Sequence, residues 1–272
     1  MKKTLFEIIK EETLELLLLD IYPLLSHALM KTKEFIFTHP EYEPSRVELR
    51  KWDEYKKRRK KGEPVAYITG EKEFYSLPFK VSRDTLIPRP ETELLVDEIL
   101  DRKPQHLLDI GTGTGNIAIS VKYHLISCFV TVTDISENIL EIARDNAWSI
   151  LGTHDIQFIK SDFFSNLKGE KYDIIVSNPP YIVRERLAEL QTEVRDWEPL
   201  GALDGGVDGL DAYRAILKVG WKYLVERGAV LLEVDPEILK GIFELLKGTR
   251  YRIESIKKDL AGADRMVVIK YE

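Results

Sequence analysis

A chain of 272 residues with 44% hydrophobic and 32% charged side chains can bury one large core or a medium and a small one, and its composition carries no disorder signal. Forty basic against forty-six acidic side chains leave a net charge of −6, which argues against a protein that coats long stretches of nucleic acid, although a local basic patch stays open. The single cysteine, Cys128, excludes an internal disulfide and fits a reducing, cytoplasmic location.

From Thr4 to Leu19, Leu5, Ile8, Ile9, Leu16 and Leu19 recur at near-helical spacing and predict one amphipathic helix. Met1-Lys2-Lys3 has the charge of a secretory leader, but Glu7, Glu11 and Glu12 interrupt the stretch where its apolar region would lie. The run Leu16 to Leu19 is far too short for a bilayer, so no targeting or membrane segment is expected. A second apolar segment runs from Tyr22 to Met30, and Phe35-Ile36-Phe37 precedes the breaker His39-Pro40. A third helix is predicted to start at Ser45, with Glu48 placed for a capping box, and to end near Gly62. Residues 1–62 therefore read as a small all-helical domain. The helix ends in Lys56-Lys57-Arg58-Arg59-Lys60-Lys61, which is either a solvated basic face at the negative end of the helix dipole or a contact for an acidic partner or RNA.

Residues 63–85 read as a linker, with two short β runs around Ser76-Leu77-Pro78 forming a hairpin. Leu86-Ile87-Pro88-Arg89-Pro90-Glu91-Thr92-Glu93 then leads into a helix from Leu94 to Leu100, with Pro90 in its first turn and carboxylates at its positive end. From there to the end of the chain, at 86–272, strands and helices alternate. Strands are predicted at His106–Ile110, Phe129–Thr133, Ile156–Ile159, Tyr172–Ser177 and Ala229–Val234, with a last pair at Tyr251–Ile256 and Met266–Tyr271. The pattern predicts an α/β fold with a doubly wound, mostly parallel sheet. The last two strands lack room for a crossover helix and are expected as an antiparallel pair at the sheet edge. Cys128 precedes one strand and reads as a buried residue rather than a nucleophile. The histidines His27, His39, His106, His124 and His154 lack ligand spacing, and no metal site is expected.

Strand His106–Ile110 runs into Gly111-Thr112-Gly113-Thr114-Gly115 and a helix start at Asn116. Such glycines admit positive φ and let a ligand approach the backbone. Nineteen residues after Gly115, Asp134 closes the next strand, where a carboxylate can take the two hydroxyls of a ribose. A glycine loop plus an acid also suits NAD, but the spacing here is Gly-x-Gly-x-Gly rather than Gly-x-Gly-x-x-Gly. A pyrophosphate needs free helix N–H groups, whereas a methionine zwitterion also needs an acceptor for its ammonium, and Asp109 is a candidate to support that end. Asp162 and Phe163, after the third strand, are candidates for an adenine amino group and ring.

The most informative stretch is Ile174-Ile175-Val176-Ser177-Asn178-Pro179-Pro180-Tyr181. A buried strand must stop at two prolines, which lack the N–H it needs, and proline holds Asn178 extended at the strand's carboxyl end. That is where open α/β sheets bind ligands. The Asn178 side-chain carbonyl and the Pro179 backbone carbonyl are two acceptors suited to one planar NH2 group, whose lone pair they would aim. Tyr181 would add a flat wall.

Asn178-Pro179-Pro180-Tyr181 resembles the motif with which amino-group methyltransferases hold the nitrogen to be methylated, and the glycine loop resembles the nucleotide loop of the seven-stranded, Rossmann-like methyltransferases. Pro64 to Gly70, Phe74-Tyr75, Leu86 to Glu93, both motifs, Glu198-Pro199 through Gly206, and Asp259 to Arg265 are similar in order and spacing to bacterial peptide chain release factor glutamine methyltransferases. The resemblance implies S-adenosylmethionine as donor, S-adenosylhomocysteine as product and no metal. It implies the Gln of the Gly-Gly-Gln loop in class I release factors as acceptor.

Asp109, Gly111, Thr112, Gly113, Thr114, Gly115, Asp134, Asp162, Phe163 and Asn178 would hold the donor. Asn178 and Pro179 would carry catalysis, with Pro180, Tyr181 and Arg89 completing the substrate side. Arg89 is equally open to a structural ion pair. Residues 1–62 would recognise the substrate, and the enzyme is expected as a monomer without stable nucleic-acid binding.

One departure stands out. The family commonly has Gly soon after the acid that ends its fifth strand, but Glu233 is followed by Val234-Asp235-Pro236, which puts the next turn in doubt. DNA adenine and ribosomal RNA guanine methyltransferases use the same motif on an exocyclic amine, but normally carry a target-recognition module and a basic face. A donor-binding protein without catalysis is a separate class, against which the intact Asn178 and glycine loop argue.

Overall fold

The computed structural model describes residues 3–153 and 155–272, so Met1, Lys2 and His154 lie outside the described residues. Two compact units emerge, one of Met1–Glu71 with Thr192–Trp197, the other of Lys72–Gln191 with Glu198–Glu272.

The first unit is helical, with helices Leu5–Glu12, Leu18–Leu29, Lys33–Thr38, Arg46–Lys60 and Val65–Thr69. Their apolar faces enclose Leu5, Ile21, Leu24, Leu25, Ile36, Trp52 and Ile68. Ser45 starts the long helix as expected: its side chain accepts from the Glu48 N–H, and Glu48 accepts from the Ser45 N–H at 2.6 Å.

The single helix expected from Thr4 to Leu19 stops instead at Glu12. There the Thr13 hydroxyl donates back to the Lys10 carbonyl, and two carboxylates, Glu11 and Glu12, crowd the negative end of the helix. Four residues of the basic run are held in ion pairs, while Lys57 and Lys61 are exposed. Lys56 pairs with Glu12, Arg58 with Glu63, Arg59 with Asp20 and Glu193, and Lys60 with Glu15. The Arg59–Glu193 pair ties the six-residue segment Thr192–Trp197 to the helical unit.

The hairpin forms with strands β1 (Glu71–Phe74) and β2 (Leu77–Lys80), but its turn is Tyr75-Ser76, both at positive φ, not Ser76-Leu77-Pro78. Pro78 is accommodated because both strands of a two-stranded sheet are edges, while Leu77 and Phe79 point inward. The unusual Tyr75 backbone is held by its N–H donating to Glu93 at 2.8 Å and its hydroxyl to Asp97 at 2.7 Å.

Among the described residues of the second unit, seven strands form one sheet. They are β3 (His106–Ile110), β4 (Phe129–Asp134), β5 (Ile156–Lys160), β6 (Tyr172–Ser177), β7 (Leu224–Glu233), β8 (Tyr251–Lys258) and β9 (Asp264–Tyr271), in the spatial order β5-β4-β3-β6-β7-β9-β8. All pairs are parallel except β7 with β9 and β8 with β9. The closing antiparallel pair is therefore at the edge, with the later strand inserted inside the earlier one.

Alternate residues of each strand point to opposite faces. Leu107, Val130, Val132, Ile174 and Val176 bury one face with residues of helices Glu93–Arg102, Asn116–His124 and Glu137–Leu151. Leu108, Ile110, Ile175, Val230 and Leu232 bury the other with Tyr213, Ile216, Leu239 and Ile242. This is the doubly wound α/β architecture that the alternating sequence predicts. The turn after Glu233 forms without glycine, because Val234 donates its N–H to the Arg265 carbonyl and Asp235 accepts from the Glu237 and Ile238 N–H groups.

Candidate active site

Strand order reverses between β3 and β6. The carboxyl ends of β3, β4, β5 and β6 open there into a cavity of about 320 Å³, within the usual range for small-molecule sites. Each strand end delivers one group of the residues singled out in the sequence.

After β3, Gly111 and Gly113 sit at φ 68° and 57°, and a Cβ on either would meet no protein atom within 4 Å. They leave an open cradle where side chains would intrude. The loop is folded back by the Gly111 and Thr112 N–H groups, which donate to the Thr133 carbonyl at 2.9 and 3.0 Å. Asn146, buried, accepts from the Lys80 N–H at 2.8 Å and donates to the Thr114 carbonyl at 2.9 Å, bracing the loop from below.

At the end of β4, Asp134 accepts from the Gly113 N–H at 3.1 Å and the Ser136 N–H at 3.2 Å. Burial raises its pKa, and those backbone donors oppose the shift. Asp162 and Phe163 follow β5 and also line the cavity, as do Asn178, Pro179 and Pro180 after β6. Ser177 pins that strand end by donating to the Ile110 carbonyl at 2.7 Å.

Three singled-out residues lie outside the lining. Asp109 is fully buried behind the loop, accepts the Thr112 hydroxyl at 2.7 Å on one oxygen, and has no partner on the other. Burial pushes its pKa up to about 7; the Thr112 hydroxyl pulls it back and the nearby Asp134 adds to the rise. Gly115 precedes the following helix at φ 81°, and a Cβ there would come within 2.6 Å of Ile119 Cδ1. The Tyr181 ring packs against the apolar cluster on one face of the sheet, and burial pushes its hydroxyl up to about 12.

Arg89 does line the cavity, and it also forms an ion pair with the buried Glu198, whose other oxygen accepts the Ile87 N–H at 3.3 Å.

Two residues whose part in the site went unread in the sequence flank Asn178, and one of them, Thr92, itself lines the cavity. Its Nδ2 donates to the Thr92 hydroxyl at 3.2 Å, and that hydroxyl donates to Glu233 at 2.6 Å. Burial pushes the Glu233 pKa up to about 7. The Thr92 bond lowers it, Glu91 raises it, and Arg265 and Arg89 lower it from further away. Thr92 lies in the Leu86–Glu93 segment and Glu233 ends β7, and nothing local in either stretch ties it to Asn178.

Residues 9–70 match the family model "PrmC N-terminal domain", and residues 88–193 match "Methyltransferase small domain". A "Release factor glutamine methyltransferase" of Clostridium acetobutylicum is 33% identical over 269 residues, covering 97% of this chain and 94% of that protein. The chain belongs to the release factor glutamine methyltransferase family.

A "Bifunctional methyltransferase" of Rickettsia felis is 36% identical over 276 residues, covering 90% of this chain and 52% of that protein. The chain thus spans about half the length of such longer relatives. Among solved structures, a methyltransferase from Pyrococcus furiosus superposes with a TM-score of 0.56 at 19% identity, covering 80% of this chain and 98% of that one; the likeness is one of fold. Among the described residues, no helix is long and apolar enough to cross a membrane.

Proposed function

We propose that this chain transfers a methyl group from S-adenosylmethionine to the side-chain amide nitrogen, N5, of the Gln in the Gly-Gly-Gln loop of class I release factors. The observation that carries the proposal is the meeting of Asn178 and Pro179 with the glycine loop and Asp134 in one cavity, in a member of this family.

The residues present fit the donor. Gly111 and Gly113 leave space that a Cβ would fill, Asp134 offers its carboxylate to ribose hydroxyls, and Thr112 with Asp109 behind it supports the methionine end. Asp162 and Phe163 suit the adenine amino group and ring. Bound there, S-adenosylmethionine supplies an electrophilic methyl on its sulfonium and departs as S-adenosylhomocysteine.

The Asn178 side-chain oxygen and the Pro179 carbonyl accept the two hydrogens of the glutamine amide. Its lone pair, otherwise delocalised into the carbonyl, is thereby aimed at the methyl group, and the more pyramidal nitrogen of the transition state is favoured. Pro180 shapes the wall, with Tyr181 packed outside the lining against the apolar cluster, and Arg89 stands at the rim in its pair with Glu198. Methylation leaves the amide nitrogen positively charged and strongly acidic, so its proton passes to water after the methyl arrives, and the transfer needs no dedicated base and no metal. Recognition of the factor falls to the helical residues 1–62, with 63–85 as linker and 86–272 as the methyltransferase, in a cytoplasmic monomer.

Incubation with S-adenosylmethionine and an unmodified release factor, with mass spectrometry of the Gly-Gly-Gln peptide, tests this. One methyl on that Gln, absent with Asn178→Ala, supports the proposal. No methyl despite donor binding rejects it in favour of an exocyclic amine on a nucleic acid.

A further inference from the structure

We infer that Thr92 and Glu233 are positioning residues that decide which end of the Asn178 carboxamide, oxygen or nitrogen, faces the acceptor amide. The inference rests on the proposed methyl transfer for its consequence in catalysis, and on geometry alone for the orientation itself.

A carboxamide presents a carbonyl on one side and an NH2 on the other, and the two are nearly equal in shape. Only the carbonyl can accept from a substrate NH2. With the group turned round, donor would face donor and the acceptor would be repelled from its place. Nothing in Asn178 itself selects between the two.

Selection comes from the neighbours of Asn178. The Thr92 hydroxyl has one hydrogen, and Glu233 in its carboxylate form takes it at 2.6 Å. The hydroxyl then has only lone pairs left for Asn178, which must turn its NH2 toward them, as it does at 3.2 Å. The carbonyl is left for the cavity.

The anchors of this relay are firm. Thr92 and Glu233 are 1% and 3% exposed, so water does not compete for their hydrogen bonds. Glu233 ends β7 and is carried beside Asn178 by the β6–β7 register, in which Ser177 pairs with Leu232. Its backbone is fixed in turn by the Tyr213 hydroxyl, which donates to the Glu233 carbonyl at 2.7 Å. Thr92 closes the turn Pro90–Thr92 that opens the helix Glu93–Arg102. A proline-rich turn and a strand end thus converge on one asparagine.

The test uses the full-length protein and two readouts. The first is the Asn178 side-chain amide signal in a nitrogen–proton correlation spectrum, assigned by its loss in Asn178→Ala. Thr92→Val, which keeps the shape and removes the hydroxyl, is expected to move that signal and speed its exchange with water, and Thr92→Ser to restore both. Glu233→Met, which removes the acceptor, is expected to move it as well. An Asn178 signal unchanged in Thr92→Val and Glu233→Met overturns the inference, whatever the substrate proves to be.

The second readout is methylation of the release factor. Thr92→Val is expected to lower kcat by about 10- to 100-fold and to leave donor affinity unchanged, while Thr92→Ser stays near the unsubstituted enzyme. Equal losses in Thr92→Val and Thr92→Ser would mean that only the packing of the side chain matters, and the relay would be rejected. An unsubstituted enzyme that leaves the Gln unmethylated rejects the substrate, and the spectrum still decides the relay.

Discussion

Substituting Gly113 by Ala separates what the glycine loop does for the fold from what it does for the ligand. Gly113 has φ 57°, so an alanine there is held in the left-handed region, at a cost of roughly 1–2 kcal/mol. In a unit of this size that corresponds to a fall in Tm of about 5 °C. The added Cβ meets no protein atom within 4 Å, on a residue that lines the cavity. Packing itself therefore loses nothing further.

The donor, in contrast, would meet a methyl group where the backbone now lets it approach. Overfilling of this kind costs about 1–3 kcal/mol, or roughly 5- to 150-fold in Kd. Gly115→Ala is the internal control. Its backbone is equally left-handed at φ 81°, but its Cβ would press on Ile119 Cδ1 at 2.6 Å, away from the cavity. It is expected to lose more stability and less donor affinity. Thermal melts without ligand and calorimetric titration with S-adenosylmethionine measure both quantities for both variants. A Gly113→Ala protein that binds the donor like the unsubstituted one refutes the cradle.

Three further outcomes are expected. Ser45→Ala removes one half of a reciprocal capping box and should cost the helical unit about 1 kcal/mol, seen as a lower urea midpoint; an unchanged midpoint would show the cap to be idle. Burial raises Asp109 and Glu233 from 3.8 and 4.5 to about 7, so the folded protein holds their protons at pH values where the unfolded chain has released them. Their stabilising share is whole below about pH 4 and is lost as the pH rises from there through 7; Asp109→Asn should make the decline between about pH 4 and 7 shallower, and an identical slope in unfolding experiments would count against the shift. Arg59→Ala leaves Asp20 and Glu193 without their shared cation and should cost about 2 kcal/mol, with faster proteolytic cutting within residues 192–197; an unaltered cutting rate would show that the segment is held by something else.

What could be read in the sequence is what short range controls. Period-two burial in Leu107-Leu108 and Ile174-Ile175, the glycines after β3 and the prolines after β6 state their geometry within a few residues, and from them the sheet and the carboxyl-end cavity can be built. The Ser45–Glu48 capping box is legible for the same reason. Interactions chosen by distant partners were not. One local signal was passed over as well: Leu16 and Leu19 continue the periodicity of the first helix, but a back-bonded Thr13 and two carboxylates end it earlier. The hairpin turn moved to Tyr75-Ser76 because Glu93 and Asp97, eighteen and twenty-two positions on, hold that tyrosine. The link from Thr92 to Glu233 spans 141 positions, and no local pattern announces it.

The segment Thr192–Trp197 bears on how such a chain can be cut and recombined. It is numbered among the residues after Asn178, yet it belongs with the helices of the first seventy-one, where Arg59 grips Glu193 and Gly62 leaves room near Thr192 and Trp197. A fragment starting at residue 72 would carry this clasp with nothing to hold. A chimera given the first seventy-one residues of a relative would have to accept a clasp written by a different gene. Exchange of the helical module between family members should therefore succeed or fail on six residues that lie more than a hundred positions away from the splice.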